Sequence, residues 1–585
     1  MKIEITFRPL VIFCVSLIVG CLSALLFKCN IFLDVVIAAS FFIFTYLYCP
    51  KKIIIICAIF FVIGFLSFIT YFNVTLEDNK LYCLRIISIN KYYAKANYFG
   101  RSLELSGNFD KVERGNIVFV KGKFEKKDDY QYGTIGQLKI KKIDKINKDN
   151  ISNIYDFKEA LFERFSKRIG NEKSGMLMAL CFGDRTNLQK DDKSQLETLG
   201  IVYIICISGL HMLIVFKFLK KFLPLEAAII ITAFYTAFTG CEPASLRALI
   251  MIINFQFSKR VRRNYDFLSS LCLSALLILI FKPYYIVNIA FTLSFLATLG
   301  IKLFYKKLTK VFYRLPKRLN ESLSIGLSVQ SLVMPYSLFT LKTLTFAFVF
   351  GNLFLIPIYT GIIILGIISL PFIYLPLVFN FICNLIWILY IAAIGASGLL
   401  EKLSLPIFYV TSYDAYIIFA LYLVYILFKL GYKKTAYLIP MLFILAMVQF
   451  YSFIPSVSYV CLKGGEGVIV RNKFKSVLIS NVNLKDQAEK DKILKIINVN
   501  SFIYAAKGVK LSLNDNYFVS FQEHCLKVEN NTKQILMADK NEAMFNGLGY
   551  SKNYDIMYFD NKNNQYPFEE GYFCIIKDKI IGIKE

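Results

Sequence analysis

The feature that most limits what this chain can fold into is a series of long apolar runs. Three of them, roughly residues 9–27, 31–48 and 53–72, follow one another near the N-terminus. At a rise of about 1.5 Å per residue, each is long enough as a helix to cross the ~30 Å hydrocarbon core of a bilayer. Hydrophobic residues make up 56% of the chain, more than a soluble protein contains. The sequence therefore predicts a polytopic α-helical membrane protein. The first run lacks a small-residue cleavage site, so we expect it to stay in the mature chain.

Changes in composition divide the chain into four parts. After the N-terminal helices of residues 1–75, residues 76–150 alternate short β-type runs with turns that contain Asn, Gly and Asp. That pattern predicts a small basic β-barrel. Residues 151–455 start with an amphipathic lead-in, at the membrane surface or capping the bundle, and continue with about ten further spans. The last part, residues 456–585, is polar and mixed, as in a water-soluble domain.

Basic clusters orient the predicted spans, because the positive-inside rule places Lys- and Arg-rich loops in the cytoplasm. With the N-terminus inside, three spans carry the predicted barrel outside. An even number of further spans then returns residues 456–585 to the outside as well. One orientation satisfies every cluster: Lys51-Lys52, Lys217-Lys220-Lys221, SKRVRR (258–263), KKLTKVFYRLPKR (306–318) and KLGYKK (429–434).

Two features of the sequence leave alternatives open. The formal net charge of +27 fits either an anionic partner or lipid, or simply cytoplasmic loops rich in Lys and Arg. Prolines interrupt the apolar stretch 344–379, so the helix boundaries there are not fixed by the pattern: Pro357, Pro371 and Pro376.

Polar residues are sparse in the second membrane block and fall in short motifs. His211 lies in ISGLHMLIV (207–215) and Arg247 in FTGCEPASLRALIM (238–251), both among small residues that allow close helix packing. An ionisable group at membrane depth is costly, so it is a functional hypothesis by default. Two interpretations of His211 are left open. It faces a polar path through the bundle, or it donates a hydrogen bond to a neighbouring helix.

The order of these motifs resembles the ComEC family, the inner-membrane DNA-uptake channel of natural competence. The resemblance is carried by CFGDRTNL (181–188), ISGLHMLIV, the Thr-Gly and Arg-Ala pairs of residues 238–251, and LSFLAT (293–298). It implies an N-terminal OB-type module, a channel domain and a C-terminal metallo-β-lactamase-like domain.

The resemblance also implies a function. The chain would import single-stranded DNA across the bacterial cytoplasmic membrane, without a cofactor and without catalysis of its own. Its partners would be single-stranded DNA, membrane lipid, a DNA receptor and a cytoplasmic DNA translocase. A wet cationic path is needed for a polyanion, and the candidates for it are His211, Arg247, Ser208, Asp184 and Arg185.

The OB-type module offers a second set of candidates. Single-stranded nucleic acid binds such barrels when bases stack on aromatic rings and phosphates pair with Lys or Arg. The alternative is that these aromatic residues belong to an ordinary barrel core and surface. The candidates are Tyr92, Tyr93, Tyr98, Phe99, Arg101, Lys121 and Lys123.

The C-terminal domain departs from the family pattern. Active metallo-β-lactamase-like enzymes hold their metal ions with a His-x-His-x-Asp-His cluster, whereas this segment contains only His524. Lys463 to Gly467 stand in place of a Gly-Gln-Gly-Asp turn, and Ser480-Asn481 stand where an Asp is expected. No Cys-x-x-Cys spacing offers a zinc site elsewhere. We therefore interpret residues 456–585 as a degenerate domain, with no metal and no catalytic residue.

Three other functions compete with DNA import. A channel coupled to degradation of the second DNA strand would need a metal site that the sequence does not supply. A transporter of an unrelated small solute or lipid would be favoured by inverted internal repeats, which we do not find. A non-functional remnant is the third alternative.

Overall fold

The computed structural model describes most of the chain up to residue 450 and mainly strands beyond it. Up to that point it omits 1–7, 91, 110–111, 206–207, 345–346, 404–407, 410–411 and 430–436. Beyond it, the structure describes 452–462, 465–473, 475–482, 490, 493–494, 496–497, 499, 501–504, 510–514, 517–521, 526–530, 534–539, 555–559, 568–576 and 579–583. His524 lies outside the described residues.

The described residues form two compact units. The first comprises residues 1–189, 201–333 and 349–402, and the second 190–200, 334–348 and 403–585.

Three helices open the first unit: α1 (Pro9–Cys29), α2 (Ile31–Tyr48) and α3 (Lys51–Phe72). Asn30 ends α1 and caps α2, since its side chain accepts hydrogen bonds from the amides of Phe32 and Leu33. The backbones of α1 and α3 approach closely at Gly64. A Cβ atom there would lie 2.4 Å from the carbonyl oxygen of Leu17, so only glycine fits.

A closed five-stranded barrel follows, as the sequence predicted. Its strands are β1 (Tyr82–Ile89), β2 (Tyr93–Tyr98), β3 (Arg101–Ser106), β4 (Ile117–Glu125) and β5 (Thr134–Asn147). They pair in the order β1-β2-β3-β5-β4, with β3 and β5 parallel and the other neighbours antiparallel. Alternate residues point inward and fill the barrel, among them the fully buried Leu84, Ile86, Ala96, Leu103 and Leu105.

Two helices follow the barrel, α4 (Asn150–Ile169) and α5 (Asn171–Phe182). Asp149 starts α4 with a capping box, in which its carboxylate accepts from the backbone amide of Ser152. Helix α4 is amphipathic and buries Leu161, Phe165 and Ile169. Helix α5 is buried from Ser174 to Phe182. Of the two positions expected for this part of the lead-in, the burial of α5 favours the cap of the bundle over the membrane surface.

The other helices of the chain are shorter or more irregular than the apolar runs suggest. They are α6 (Lys190–Thr198), α7 (Gly209–Phe222), α8 (Leu225–Phe238), α9 (Pro243–Arg260), α10 (Phe267–Phe281), α11 (Ile289–Val311), α12 (Lys317–Leu341), α13 (Phe348–Phe350), α14 (Ile356–Ile368), α15 (Pro376–Leu403), α16 (Ser412–Lys429) and α17 (Leu438–Phe450). Where the sequence left boundaries open, a π-helical turn (Gly351–Leu355) joins α13 to α14, and a 3₁₀ turn (Leu370–Phe372) follows α14.

Six helical segments in the described part of the chain are long and apolar enough to cross a membrane. They are Pro9–Lys28, Lys51–Phe72, Ile289–Val311, Leu319–Leu341, Phe348–Ile368 and Pro376–Leu400. Three shorter helices are also apolar: Ile31–Leu47, Leu225–Phe238 and Phe267–Phe281. Together with the barrel, these helices agree with the predicted polytopic membrane fold.

The second unit contains two larger sheets and a two-stranded one. The first sheet has six strands in the order β11-β10-β9-β8-β17-β18, the second has five in the order β12-β13-β14-β15-β16, and the third pairs β6 with β7. The strands are β6 (Thr343–Leu344), β7 (Phe408–Tyr409), β8 (Ser452–Leu462), β9 (Gly465–Lys473), β10 (Lys475–Ser480), β11 (Ser501–Tyr504), β12 (Lys510–Asn514), β13 (Tyr517–Phe521), β14 (Leu526–Asn530), β15 (Gln534–Asp539), β16 (Asp555–Phe559), β17 (Phe568–Ile576) and β18 (Lys579–Ile583).

Within the first unit, the barrel lies at one end of the helices, which we call the barrel side. The β4–β5 loop joins it to three helix ends. Asp128 pairs with Lys28 at the end of α1 at 3.4 Å, and the hydroxyl of Tyr71, at the end of α3, donates to the carbonyl of Gly133 at 3.0 Å. The side-chain amide of Asn288, which precedes α11, donates from Nδ2 to the backbone carbonyl of Gln131 at 3.1 Å.

The opposite ends of these helices form what we call the basic side. There Arg8, at the start of α1, pairs with Asp266 at the start of α10, at 3.3 Å. Arg260, at the end of α9, pairs with Glu226 at the start of α8, at 2.9 Å. Since α11 runs away from Asn288, its lysine-rich end also lies on the basic side, in the sequence KKLTKVFYRLPKR.

Candidate functional site

The motif that contains His211 forms the start of α7. Ser208 is the capping residue: its hydroxyl accepts from the amide of Leu210 at 3.3 Å, and its own amide donates to Nδ1 of His211 at 3.0 Å. Because Nδ1 accepts this hydrogen bond, we assign the proton of a neutral imidazole to Nε2. The side chain of His211 is 1% exposed, and its Nε2 has no hydrogen-bond partner in the described part of the chain. Burial argues against the path-facing interpretation of His211, while Nε2 does not form the hydrogen bond to a neighbouring helix that the other interpretation requires among the described residues.

Arg247 lies one turn inside the N-terminal end of α9 and is 9% exposed. Its Nε donates to the hydroxyl of Ser294 on α11 at 2.9 Å, and its guanidinium lies 5.8 Å from the ring centre of Phe295. No carboxylate pairs with Arg247 within the described residues. A buried cation without a counter-ion is costly, so an anionic ligand at this place would be stabilised.

Gly209 brings the two motifs together. A Cβ atom on Gly209 would lie 3.1 Å from Nη2 of Arg247 and 3.5 Å from Cβ of Ala248, so the first residue of α7 packs directly against α9. The guanidinium therefore lies beside the positive end of the α7 dipole. We call Ser208, Gly209, His211, Arg247 and Ser294 the Arg247 cluster. It lies near the barrel side, because α9 and α11 both begin there.

The Gly-Asp-Arg loop after α5 is held by ion pairs. Nη1 of Arg114, in the β3–β4 loop, donates to both carboxylate oxygens of Asp184 at 3.1 Å and also to the hydroxyl of Thr186. Arg185 pairs with Glu242, which precedes α9, at 2.6 Å. Burial opposes ionisation of Asp184, but hydrogen bonds from Thr186 and the charge of Arg114 outweigh it and lower the pKa of Asp184. Both predicted path residues are therefore committed to partners within the protein.

Three charged groups near this loop escaped the sequence analysis. Arg114 is one. Lys158 on α4 is buried, donates from Nζ to the carbonyl of Phe182 at 3.1 Å, and has its pKa lowered by burial to about 8. The third is Arg85, whose guanidinium donates hydrogen bonds of 2.8 and 2.6 Å to the two carboxylate oxygens of Asp149. Each group is remote in sequence from its partner or lies in an ordinary amphipathic pattern, so no local signal marks it.

Asp34 was also missed. It is 8% exposed in apolar α2, where the hydroxyl of Ser23 hydrogen-bonds its carboxylate. A single acidic residue in an apolar run was the available signal.

The aromatic candidates on the barrel fall into two groups. Tyr92 and Tyr93 are exposed at the start of β2. Tyr98 and Phe99 lie at its far end, in the β2–β3 hairpin, about 15–20 Å along the strand. The structure therefore does not bring the four rings to one place.

The basic candidates on the barrel differ in availability. Arg101 donates from Nε to the carbonyl of Tyr71 at 2.9 Å and from Nη2 to that of Thr70 at 3.0 Å. Its guanidinium thus attaches the barrel to α3, and its predicted role as a nucleic-acid contact stays a prediction. Lys121 pairs with Asp144 at 3.4 Å, and Lys123 is exposed on the same strand. The sequence did not indicate the pair formed by Lys95 and Tyr132. The ammonium of Lys95 lies 5.0 Å from the ring centre of Tyr132.

The second unit contributes no metal site among the residues that the structure describes. No group of three or more His, Cys, Asp or Glu side chains is placed there, or elsewhere in the described residues, so as to hold a metal ion. Ser480 stands where the family pattern has an Asp. It ends β10 and pairs with Tyr504 of the parallel strand β11.

Comparison with known proteins agrees with the motif order. The sequence model described as "Competence protein" matches residues 180–434, the segment that contains the Arg247 cluster and the Gly-Asp-Arg loop. Residues 180–434 are therefore similar to the competence protein family. The resemblance to the ComEC family is thereby confirmed.

Two relatives have been found by sequence. ComE operon protein 3 of Bacillus subtilis (strain 168) is 26% identical over 207 residues, which cover 34% of this chain and 26% of that protein. An uncharacterized protein of Aquifex aeolicus (strain VF5) is 29% identical over 220 residues, 33% of this chain and 52% of that protein. The alignments thus span about half or less of these relatives. No solved structure matches the chain significantly.

Proposed function

We propose that this competence family protein imports single-stranded DNA across the bacterial cytoplasmic membrane. The observation that carries the proposal is Arg247, a buried guanidinium with no carboxylate partner in the described residues, inside the segment that matches the family. A phosphate passing the Arg247 cluster would meet this cation and the positive end of α7. Ser208 and Ser294 hold the two elements in place, and His211 closes the first turn of α7.

The barrel supports a role in receiving DNA outside the membrane. Its strand order, β1-β2-β3-β5-β4 in a closed barrel, supports an OB-type module, in which the β2–β3 face and adjoining loops bind single strands. Tyr93, Lys95 and Tyr132 lie exposed on this part of the barrel. We propose that they replace Arg101 among the contacts to bases and phosphates, beside Tyr92.

The two-sheet arrangement of the second unit supports a metallo-β-lactamase-like origin for residues 456–585. We propose that this domain is degenerate. We also propose that a DNA receptor and a cytoplasmic translocase act with the channel. A channel coupled to strand degradation is the alternative, and His524 is its single histidine candidate.

The experiment that tests the function is uptake of labelled duplex DNA by cells that lack this gene and carry either the wild-type gene or none. If the protein is the channel, only complemented cells accumulate label in a nuclease-protected form, and the protected label is single-stranded. Protected duplex DNA, or equal uptake without the gene, would contradict the proposal. Uptake of a small solute lost with the gene, while DNA uptake persists, would favour the transporter alternative.

We propose further that the barrel side faces out of the cell and the basic side faces the cytoplasm. The basic side carries Arg8, the end of α9 and the end of α11, as the positive-inside rule requires. In a background with Cys83, Cys461, Cys525 and Cys574 replaced by Ala, Lys95→Cys should react with a membrane-impermeant maleimide added to protoplasts. Lys310→Cys should react only after the cells are opened. Labelling of Lys310→Cys in intact protoplasts, with Lys95→Cys protected, would reverse the orientation and with it the direction of transport.

A further inference from the structure

The tip of the β2–β3 hairpin carries a highly exposed aromatic residue near a predicted membrane boundary. Tyr98 pairs with Arg101, so the connection is a two-residue turn of Phe99 and Gly100. Phe99 is 82% exposed, and its ring touches that of Tyr98 with centres 4.9 Å apart.

The turn is a costly place for phenylalanine. The φ angles are +46° at Phe99 and +85° at Gly100, and two positive φ values are typical of the turn type that prefers Asn-Gly. A bulky residue in the left-handed region is strained, and its exposed ring loses the benefit of burial. Residues held in such conformations often serve a function. Neither the turn nor the barrel core requires an aromatic ring here.

The position of the hairpin identifies what covers the ring. Arg101, next to the turn, holds the carbonyls of Thr70 and Tyr71 in the last turn of α3. Helix α3 is one of the candidate spans, and the residues on its free face, Leu66 and Thr70, are exposed. The hairpin tip therefore lies level with the end of a candidate spanning helix, beside the exposed face of that helix.

We propose that Phe99, supported by Tyr98, inserts into the interfacial region of the lipid bilayer and anchors the barrel to the membrane surface. Phe side chains on an element with a polar face bury into the boundary between headgroups and acyl chains, while the rest of the element stays in water. This occupant differs from the single-stranded DNA expected for Tyr98 and Phe99 from the sequence. The proposal goes beyond DNA import and does not depend on it.

The chain offers a direct probe, since Trp387 is its single tryptophan. Phe99→Trp in a Trp387→Phe background, reconstituted as the full chain in lipid nanodiscs, reports the environment of the tip alone. We expect blue-shifted emission that is strongly quenched by lipids brominated near the headgroup end of their acyl chains. Quenching should be weaker with lipids brominated near the chain terminus, because the ring stays at the interface.

Tyr93→Trp in the same background is the matched control, because Tyr93 is 63% exposed on the same strand but at its other end. We expect solvent-like emission without lipid quenching. Addition of a single-stranded oligonucleotide tests the other occupant: it should leave the emission of Phe99→Trp unchanged. Quenching of Phe99→Trp by the oligonucleotide and not by brominated lipid, or by neither, would overturn the proposal.

A second variant guards against a folding artefact. Phe99→Asn suits the turn better than the native residue, so the barrel should fold normally and resist protease in detergent as the wild type does. In lipid, however, the β2–β3 hairpin should become more accessible to protease, because the anchor is gone. Equal accessibility in lipid for wild type and Phe99→Asn would also contradict the anchor.

Discussion

Replacing Arg247 by Gln should reduce DNA uptake by roughly ten- to a hundredfold while the protein reaches its normal level in the membrane. A hydrogen bond to a charged group contributes about 1.5–3 kcal/mol, and each 1.36 kcal/mol corresponds to about tenfold in rate. Gln keeps a donor for the hydroxyl of Ser294 but carries no charge. The measurement is uptake of labelled DNA, normalised to protein level in the membrane fraction.

Further substitutions separate charge from structure at this site. Arg247→Lys keeps the cation and should retain part of the activity, although Lys cannot reproduce the planar guanidinium. Arg260→Gln is the matched control, because Arg260 lies on the same helix and forms an exposed pair with Glu226 on the basic side. It should leave uptake unchanged. Wild-type uptake by Arg247→Gln would remove Arg247 from the proposed path. A purely structural role is indicated instead if Arg247→Gln is as active as wild type and Arg247→Ala is lost from the membrane.

The periodic parts of this fold were predictable from the sequence, and the failures have physical causes. The runs that predicted strands became β1, β3, β4 and β5, because their alternating apolar residues fill the barrel. Strand β2, with the sequence YAKANY, was missed because Ala, Lys and Asn are weak strand formers. It exists because β1 and β3 pair with its two edges. Tertiary pairing here outweighs local propensity.

The burial of helix α5 is a second feature that the local sequence pattern did not predict. Residues 171–182 carry charges at their start and were expected either at the membrane surface or capping the bundle. The structure buries them from Ser174 onward, and Ser174, Gly175 and Ala179 are small enough to allow other elements to approach on several sides. Sequence periodicity identifies an apolar face, but it does not identify a helix that is covered on all faces.

At the candidate site, the sequence motifs predicted which segments lie together better than they predicted the partners of individual charged residues. The clustering of His211 and Arg247 could be anticipated only from motif order, since they are 36 positions apart in the sequence. The partner of Asp184 could not be anticipated in this way, because Arg114 is 70 positions away in the sequence and lies in another domain. Arg101 was assigned to DNA because a basic residue beside aromatic residues fits a nucleic-acid groove, whereas its actual acceptors are backbone carbonyls of α3. Sequence patterns give the type of a charged residue and not its partner.

The second large effect is expected at the contact between the barrel and the Gly-Asp-Arg loop. Asp184→Asn should destabilise the attachment of the barrel by about 2–4 kcal/mol, because it leaves the guanidinium of Arg114 without its anion in a largely buried place. The side chains of Arg114 and Asp184 are 27% and 11% exposed, so water screens the pair only partly. Protease accessibility of the barrel in purified full-length protein, as a function of urea concentration, measures the change.

The matched control is Glu113→Gln. Glu113 is the neighbour of Arg114 and pairs with Lys148 at 2.6 Å, but both side chains are largely exposed, at 62% and 49%. An exposed pair contributes little, so this variant should behave as the wild type. Loss of attachment in Glu113→Gln to the same degree as in Asp184→Asn would mean that charge in the loop, rather than the buried pair, is responsible.

The same pair gives the attachment a defined dependence on pH. The pKa of Asp184 is lowered in the folded protein, so its contribution is present above the ordinary carboxyl pKa and is lost as pH falls through the lowered value. Asp149 acts in the same direction, because the hydrogen bonds from Arg85 hold its pKa well below the usual range. Acid, from about pH 4 downward, should therefore loosen the barrel in wild type. In Asp184→Asn the part of this pH dependence that belongs to Asp184 should be absent.

A double-mutant cycle decides whether Arg114 is the partner that matters. Arg114→Ala and Asp184→Ala should each weaken the attachment, and the double variant should be little worse than either one, because each single change already removes the interaction. The cycle includes Thr186, whose hydroxyl contacts both groups, so Thr186→Val should weaken the coupling between them. If the two substitutions are additive, Asp184 acts through some other group, and the pH dependence predicted here would then survive the loss of Arg114.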